Sequence, residues 1–227
     1  MPAAQNFDGV TATTRLQIVA HRGWWTARDE QNSLAAFERA LAAGCGIETD
    51  LWWRDGEVVI SHDPPRESAM PLRELVALYG KHESAAPLAL NVKCDALASL
   101  SPRLLAPLAA GSWFFFDMSV PDMLAFRRAS LPFYTRESEI EPVPALYEDA
   151  AGVWLDQFVD DWVDGAALSR HLHAGKAVCI VSPELHGRAH EAAWQRYRDA
   201  LAAAPGSAGR VLLCTDFPQQ AREFFAA

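Results

Sequence analysis

The chain has 227 residues, of which 50% are hydrophobic and 22% are charged, and its formal net charge is −9. A chain of this size and composition can bury a sizeable core, so we expect residues 1–227 to form one domain, with residues 1–15 as a poorly structured N-terminal extension. The negative charge and the lack of a Lys/Arg run argue against a surface for nucleic acid or anionic membranes, because both need a basic patch.

We expect no targeting or anchoring segment. Residues 1–15 lack the basic start and apolar stretch of a secretory leader, and no apolar run approaches membrane-spanning length. The four cysteines occur singly, without CxxC spacing, which is typical of reduced, buried thiols. We therefore expect a cytoplasmic protein without stable membrane association, and we find no signal for an oligomeric state.

Short runs rich in Val, Ile, Phe and Trp alternate with Ala- and Leu-rich stretches of helical period, such as residues 33–44, 120–130 and 190–204. This alternation is typical of βα units, and eight of them predict an α/β fold, a single-domain (β/α)₈ TIM barrel with parallel strands. An open doubly wound sheet is the alternative. The predicted strands are residues 16–21, 46–53, 88–93, 113–117, 131–135, 152–156, 177–182 and 211–216.

Nearly every predicted strand is apolar in its body and polar at its last position or just beyond. In a barrel the carboxyl ends of all strands converge on one rim, where active sites are built, whereas an open sheet would spread them along a line. The pattern therefore favours a barrel. The polar ends are His21 with Arg22, Glu48 with Asp50, Lys93, Asp117, Arg136, Asp156, Ser182 and Asp216.

Glu48 and Asp50 lie two residues apart on one predicted strand, so their side chains point to the same side. Two buried like charges both stay ionised only if a cation lies between them. The pair therefore predicts a site for Mg²⁺ or Ca²⁺, or else an acid/base dyad in which one carboxyl is protonated. A solvated strand end with two surface acids is the structural alternative.

A tight-turn signal at residues 55–56 lies between two β-prone runs and predicts a small β-hairpin extension after the second strand. The register of this hairpin decides which face His62 occupies. A two-residue turn would pair His62 with Thr49, whereas a three-residue loop over 54–56 would pair it with Glu48. We expect the three-residue loop, with its glycine in the left-handed region, and hence a His62 imidazole beside the acid pair.

Two histidines, His21 and His62, would then share the rim with Arg22, Lys93 and the acid pair. Arginine can clamp phosphate oxygens through two parallel hydrogen bonds, and histidine is the commonest proton-transfer group. This combination indicates a phosphate-like substrate and a metal that neutralises developing charge. It also requires one group to activate the attacking oxygen and one to protonate the leaving alkoxide.

Other residues are candidates for the same rim. Trp24 and Trp25 follow the first strand and could cover the leaving group of the substrate, or else pack as a loop staple. Asp216 ends the last strand and is a candidate to orient a catalytic side chain of the first. The remaining rim candidates are Asp117, Asp156, Glu184, His186 and Arg188.

These motifs resemble those of glycerophosphodiester phosphodiesterases, within the larger group of phospholipase-C-like phosphodiesterases. The matching segments are HRG at 21–23, QNSLAAFERALAAG at 31–44, GIETDLWWRDGEVVISHDP at 46–64 and NVK at 91–93. The similarity is dense over residues 18–64 and thinner afterwards. The order and spacing of HR, ExD and HD are specific in combination, although no one of them is specific alone.

The resemblance implies a barrel enzyme of lipid metabolism that uses a divalent cation to hydrolyse glycerophosphodiester-type substrates to an alcohol and glycerol phosphate. Its implied partner is thus a small phosphodiester substrate. The roles it implies are acid/base catalysis by His21 and His62, phosphate binding by Arg22 and Lys93, and ligation of Mg²⁺ or Ca²⁺ by Glu48 and Asp50.

Two positions depart from the family pattern. The family usually has Pro-Glu-Asn where this chain has Glu-Gln-Asn at 30–32, and an acidic third metal ligand where this chain has Asn91. An amide oxygen can still coordinate Mg²⁺ or Ca²⁺, but without a full charge it should hold the metal less tightly. The alternatives are a catalytically weak barrel that binds a phosphorylated metabolite, and a lipid phosphodiesterase related to the sphingomyelinase D type.

Overall fold

Strands and helices alternate through most of the computed structural model, which describes residues 16–82, 86–99, 101–203 and 210–226. The predicted N-terminal extension, residues 1–15, lies outside these ranges. The described strands are β1 (Gln17–His21), β2 (Gly46–Arg54), β3 (Glu57–Ile60), β4 (Met70–Pro71), β5 (Leu88–Val92), β6 (Trp113–Phe116), β7 (Tyr134–Glu137), β8 (Gly152–Leu155), β9 (Ala177–Val181) and β10 (Val211–Thr215).

The helices lie between the parallel strands, and the one predicted at residues 33–44 has Ser33 as its N-cap. The Ser33 hydroxyl accepts a hydrogen bond from the Ala36 N–H at 3.2 Å. No helix in the described ranges is long and apolar enough to cross a membrane. The α-helices are α1 (Leu34–Ala42), α2 (Leu72–Tyr79), α3 (Ser101–Leu105), α4 (Val120–Arg128), α5 (Gly165–His173), α6 (Glu191–Ala203) and α7 (Pro218–Ala226).

The eight predicted strands all form and pair in parallel, in the order β6-β5-β2-β1-β10-β9-β8-β7. A single parallel bridge, Phe115 to Phe133, links β6 to the segment before β7, and the Phe115 N–H donates to the Pro132 carbonyl at 3.0 Å. The fifth predicted strand, at 131–135, is displaced, since β7 begins only at Tyr134. Proline has no N–H to donate to a strand ladder, which explains the later start.

Side chains alternate between the two faces of the sheet and form two hydrophobic clusters. Ile47, Leu51 and Phe115 belong to the larger cluster, which also includes helix residues such as Phe37 and Leu75. The smaller cluster, on the other face, is rich in aromatic rings. There the rings of Phe116 and Trp154 stack with their centroids 3.8 Å apart, directly below the carboxyl ends of the strands.

The hairpin of β2 and β3 forms, but the prediction of a three-residue loop is wrong. Leu51 pairs with Ile60 and Arg54 with Glu57, which leaves a two-residue turn. Both turn residues have positive φ, 48° at Asp55 and 92° at Gly56, the conformation that matches the twist of a tight hairpin. This register, continued past Ile60, sets His62 level with Thr49 rather than Glu48.

Gly152, at the start of β8, should tolerate no side chain. A Cβ atom there would lie 2.6 Å from the ring of Tyr134 and 2.7 Å from the carbonyl oxygen of Ala177, a backbone atom that cannot move freely. We expect Gly152→Ala to lower the free energy of unfolding by about 1–3 kcal/mol, as overpacking usually does. Denaturant unfolding tests this, with Gly80→Ala as control because the nearest atom to its added Cβ lies at 3.5 Å. Equal stability of the two variants would contradict the packing argument.

Candidate active site

A cavity of about 220 Å³ opens at the carboxyl ends of the parallel strands. Charged and polar side chains from seven of these strands, or from the loops that follow them, line it, as the pattern of polar strand ends predicts. They surround the aromatic rings of Phe116 and Trp154. The polar lining residues are His21, Arg22, Glu48, Asp50, Asn91, Lys93, Asp117, Arg136, Asp156 and His186.

Asp50 on β2 is 1% exposed and is surrounded by donors. The Lys93 ammonium lies 3.1 Å from its Oδ1 atom, and the Asn32 side-chain amide donates to Oδ2 at 3.0 Å. The Nε atom of Arg22 lies 3.5 Å from the same Oδ2 atom. Two cationic side chains and an amide therefore surround this buried carboxyl group.

Glu48, two residues earlier, is equally buried but is less well compensated. Its Oε2 atom accepts the Arg22 backbone N–H at 3.2 Å and lies 3.8 Å from the Nε2 atom of His21. Burial and the nearby Asp50 charge raise the pKa of Glu48 to about 7. The side chain can thus carry or release a proton near neutral pH.

His21 ends β1 and is held by Asp216, which follows β10. The parallel register of these strands pairs Ala20 with Thr215, and the His21 Nδ1 atom lies 2.7 Å from the Asp216 carboxylate. Burial lowers the pKa of His21, but the Asp216 hydrogen bond and the charges of Glu48 and Asp216 outweigh it and raise the pKa. The Asp216 contact leaves the Nε2 atom facing Glu48 as the one that can exchange a proton.

Three cationic side chains, Arg22, Lys93 and Arg136, line the cavity. Arg22 adopts a left-handed backbone with φ of 56°, and its guanidinium donates to the Gln31 side-chain oxygen at 3.2 Å. Arg136 contacts Asp117 at 3.1 Å and lies over the ring of Phe158. The cavity therefore combines positive charge with buried acids, as an anion-binding site near a proton-transfer group requires.

Asn91 on β5 has a buried side-chain oxygen that is available to a metal ion. Its Nδ2 atom donates to Asp117 at 3.3 Å, whereas its buried Oδ1 atom has no hydrogen-bond partner among the described residues. A buried oxygen without a donor is costly unless a cation or another donor satisfies it. Within the described ranges, no group of three or more His, Cys, Asp or Glu side chains could hold a metal, so a third ligand would have to be of another type, such as this amide oxygen.

The structure brings most of the predicted site residues together. Asp216 lies behind His21 rather than in the cavity wall. Of the two predicted aromatic residues, Trp24 packs against the core and the Trp25 indole donates to the His21 carbonyl at 3.1 Å, which is the loop-staple alternative. The predicted residues that line the cavity are His21, Arg22, Glu48, Asp50, Asn91, Lys93, Asp117, Arg136, Asp156 and His186.

The structure does not place His62 beside the acid pair, because the hairpin register differs from the expected one. The side chain is 48% exposed and its Nδ1 atom lies 3.0 Å from the Asp63 carboxylate. It lines a neighbouring cleft of about 1140 Å³ between the hairpin and the β1–α1 loop. Arg22 is the residue that the cleft and the cavity share.

The sequence placed Arg136 and His186 at the rim but indicated only part of what they do there. Arg136 is a polar strand end for which the sequence predicts no role. His186 was recognised as a rim candidate, but not its pairing with Asp156 at 2.7 Å. The positions of both residues after predicted strands were the available signal, since partners 30 residues apart cannot be paired from spacing alone.

Comparisons with known proteins agree with this architecture. No protein-family model and no curated protein sequence matches the chain. A putative glycerophosphodiester phosphodiesterase from Galdieria sulphuraria superposes with a TM-score of 0.76 at 16% identity, over 95% of this chain and 100% of that one. An Oleispira antarctica phosphodiesterase in complex with the product sn-glycerol-3-phosphate gives 0.66 at 15% identity, over 96% and 99%.

The glycerophosphodiester phosphodiesterase from Agrobacterium tumefaciens gives a TM-score of 0.60 at 14% identity, over 93% of this chain and 100% of that one. Identities this low establish the fold, whereas the chemistry has to be argued from the residues of the cavity. The chain has the fold of glycerophosphodiester phosphodiesterases.

Proposed function

We propose that the protein is a metal-dependent phosphodiesterase that hydrolyses small glycerophosphodiester-type substrates to an alcohol and glycerol phosphate in the cytoplasm. The observation that carries this proposal is the cavity itself, in which the His21–Asp216 pair, a buried acid pair and three cations meet. The fold supports it, because one protein of this fold was solved with sn-glycerol-3-phosphate as its product. The net charge of −9 favours a small substrate over a nucleic acid or a membrane surface.

The same proposal includes a closed (β/α)₈ barrel formed by the chain as one domain. The bridge between Phe115 and Phe133 supports closure, because it joins the two outer strands of the eight-stranded parallel array. Closure would bring all eight carboxyl ends to one rim. The cavity lining drawn from seven of them is what such a rim would produce.

His21 would accept the proton of the attacking oxygen, which belongs either to water or to a substrate hydroxyl next to the phosphorus. Its Nε2 atom faces the cavity, and Asp216 would stabilise the imidazolium that forms. Arg22 and Lys93 would hold the phosphate oxygens. A second group must protonate the leaving alkoxide, and His62 is the candidate that the motif resemblance provides.

A divalent cation, Mg²⁺ or Ca²⁺, would be held by Glu48, Asp50 and the free Asn91 Oδ1 atom. When bound, it would neutralise charge that develops on the phosphate. Oxygen donors suit both ions, but the set has only two acids, and Lys93 lies 3.1 Å from Asp50. We therefore expect weak metal binding.

Turnover of a panel of glycerophosphodiesters, measured during titration with Mg²⁺ and Ca²⁺, tests the proposal. We expect release of glycerol phosphate that depends on the metal. Tight binding of a phosphorylated metabolite without turnover at any metal concentration would instead support the alternative of a catalytically weak, metabolite-binding barrel, which Asn91 suggests.

Replacing Asn91 with aspartate should tighten metal binding. The substitution adds a third carboxylate where the buried amide oxygen now lies, and Ca²⁺ affinity rises with the number of charged ligands. We expect the dissociation constant to fall about tenfold, equivalent to about 1.4 kcal/mol. Calorimetric titration with Ca²⁺ measures it, and Asn91→Leu, which removes the oxygen, should weaken binding. Unchanged affinity in both variants would exclude Asn91 as a ligand.

A further inference from the structure

We propose that His186, held by Asp156, is the second proton-transfer group of the cavity and protonates the leaving alkoxide. The inference rests on the proposed phosphodiesterase function. His186 ends a short 3-10 helix, Pro183–His186, that follows β9, and it lines the same cavity as His21 and Glu48.

The contact between His186 and Asp156 fixes which ring nitrogen is available. The Nε2 atom of His186 lies 2.7 Å from the Oδ1 atom of Asp156, a residue that is 6% exposed. With Nε2–H donated to the carboxylate, the Nδ1 atom is left to meet a substrate. The His21–Asp216 pair has the same 2.7 Å contact with the opposite nitrogen, so the cavity contains two histidine–aspartate pairs.

Buried hydrogen bonds hold the Asp156 segment in place. The carboxylate accepts the Gln157 backbone N–H at 2.9 Å, and the Trp162 indole donates to the Asp156 carbonyl at 2.7 Å. The fully buried Gln157 side chain donates to the Val181 carbonyl and to the Tyr197 hydroxyl, both at 2.8 Å. Asp156 is therefore oriented before any substrate binds, which is what a residue positioning a catalytic imidazole needs.

The same 3-10 helix also supports the first pair. Glu184, two residues before His186, accepts the backbone N–H of Asp216 at 3.1 Å and the hydroxyl of Thr215. The helix thus holds Asp216, the partner of His21, through Glu184, and it also contains His186. This arrangement sets the position of both imidazoles relative to the cavity.

His62 lacks these features. Its side chain is 48% exposed and its partner, Asp63, is 87% exposed, whereas the corresponding values are 24% for His186 and 8% for Asp156. His62 also lines the neighbouring cleft rather than the cavity with the acid pair. Of the two histidines, His186 is the one that lines the same cavity as His21.

In the proposed step, the attacking oxygen forms a bond to phosphorus and gives its proton to the Nε2 atom of His21. The bond between phosphorus and the alcohol oxygen breaks, and the electron pair stays on that oxygen. The oxygen takes the Nδ1 proton of the His186 imidazolium, whose Nε2–H continues to donate to the Asp156 carboxylate. Proton exchange with solvent then restores both histidines.

The test compares two substrates with one phosphoryl group, the ethyl and the p-nitrophenyl esters of sn-glycerol-3-phosphate. Ethoxide needs a proton to leave, whereas p-nitrophenolate does not. We expect His186→Gln to lower kcat/KM for the ethyl ester by about 10²- to 10⁴-fold and for the nitrophenyl ester by less than about tenfold. Asp156→Asn should show the same selectivity with a smaller loss. His173→Gln, an exposed histidine on α5, should match the wild type on both esters.

The inference would be overturned if His186→Gln lost activity equally on both esters or lost none. It would also be overturned if His62→Gln discriminated between the two esters as strongly as His186→Gln, or more strongly. Thermal unfolding of each variant separates a folding defect from a catalytic one, and Asp156→Asn provides a second route if His186→Gln is unstable. A wild-type protein that hydrolyses neither ester would refute the proposed function itself, and the inference with it. A wild type that is active and a His186→Gln variant that is unimpaired would refute the inference alone.

Discussion

Replacing His21 with asparagine should lower kcat for hydrolysis of a glycerophosphodiester by about 10³-fold, within the range that a lost general base costs. The reason is geometric, since His21 shares the cavity with three cations and a buried acid pair. Asp216→Asn should cost about 10- to 100-fold, because it removes the group that fixes the ring and stabilises its charged form.

Steady-state kinetics at saturating metal measure both effects, and His173→Gln is the matched control. Circular dichroism must show that the variants remain folded. If His21→Asn kept more than a tenth of the wild-type kcat, His21 would not be the base and the proposed mechanism would fail.

Replacing Glu48 with glutamine should stabilise the protein at neutral and alkaline pH while it weakens metal binding. The folded-state pKa of Glu48, about 7, lies above its ordinary value of 4.5. Below pH 4.5 the residue is protonated in both states. Between the two values the unfolded chain releases the proton and the folded chain retains it, so the wild type loses stability as the pH rises.

The stability difference between Glu48→Gln and the wild type should therefore grow from pH 4.5 and level off above pH 7. Its size should be about 3 kcal/mol, at about 1.4 kcal/mol per unit of pKa shift. Denaturant unfolding in a metal-free buffer from pH 4 to 9 measures it, and Glu148→Gln, at an exposed position, should show no such trend. Added Ca²⁺ should reduce this difference in the free energy of unfolding, because it should stabilise only the wild type. A difference independent of pH would contradict the raised pKa.

The strand pattern could be predicted because it depends on local composition. Apolar runs with polar ends predict parallel strands whose last residues meet at one edge, and His21, Glu48 and Asp50 lie there as expected. The buried face of β2 was also predictable, since Ile47 and Leu51 alternate with the two acids.

The hairpin register was not predictable in the same way. A two-residue and a three-residue loop both suit Asp-Gly, and one residue of difference moves every following side chain to the other face. The wrong loop length therefore predicted the wrong face for His62, although the hairpin itself was predicted correctly. Similarly, the start of β7 depended on the missing N–H of Pro132, which hydrophobic periodicity does not detect.

Pairings across the sheet could be predicted only in part: Asp216 was expected to orient His21 or Arg22 and contacts His21, whereas the contact of His186 with Asp156 was not expected. His21 and Asp216 are 195 residues apart, and His186 and Asp156 are 30 apart, so only the register of the parallel strands brings them together. The sequence indicated which residues end strands. Apart from Asp216 and the end of the first strand, it did not indicate which of them contact each other.

The 3-10 helix Pro183–His186 also bears on how such a site can diverge in evolution. Because Glu184 supports one histidine pair and His186 belongs to the other, an insertion or deletion in this loop would disturb both at once. The loop after β7 contains no residue of either histidine–aspartate pair. Glu141 in that loop contacts Arg136 of β7, which lines the cavity. Selection for a different alcohol group would meet less constraint there than in the helix.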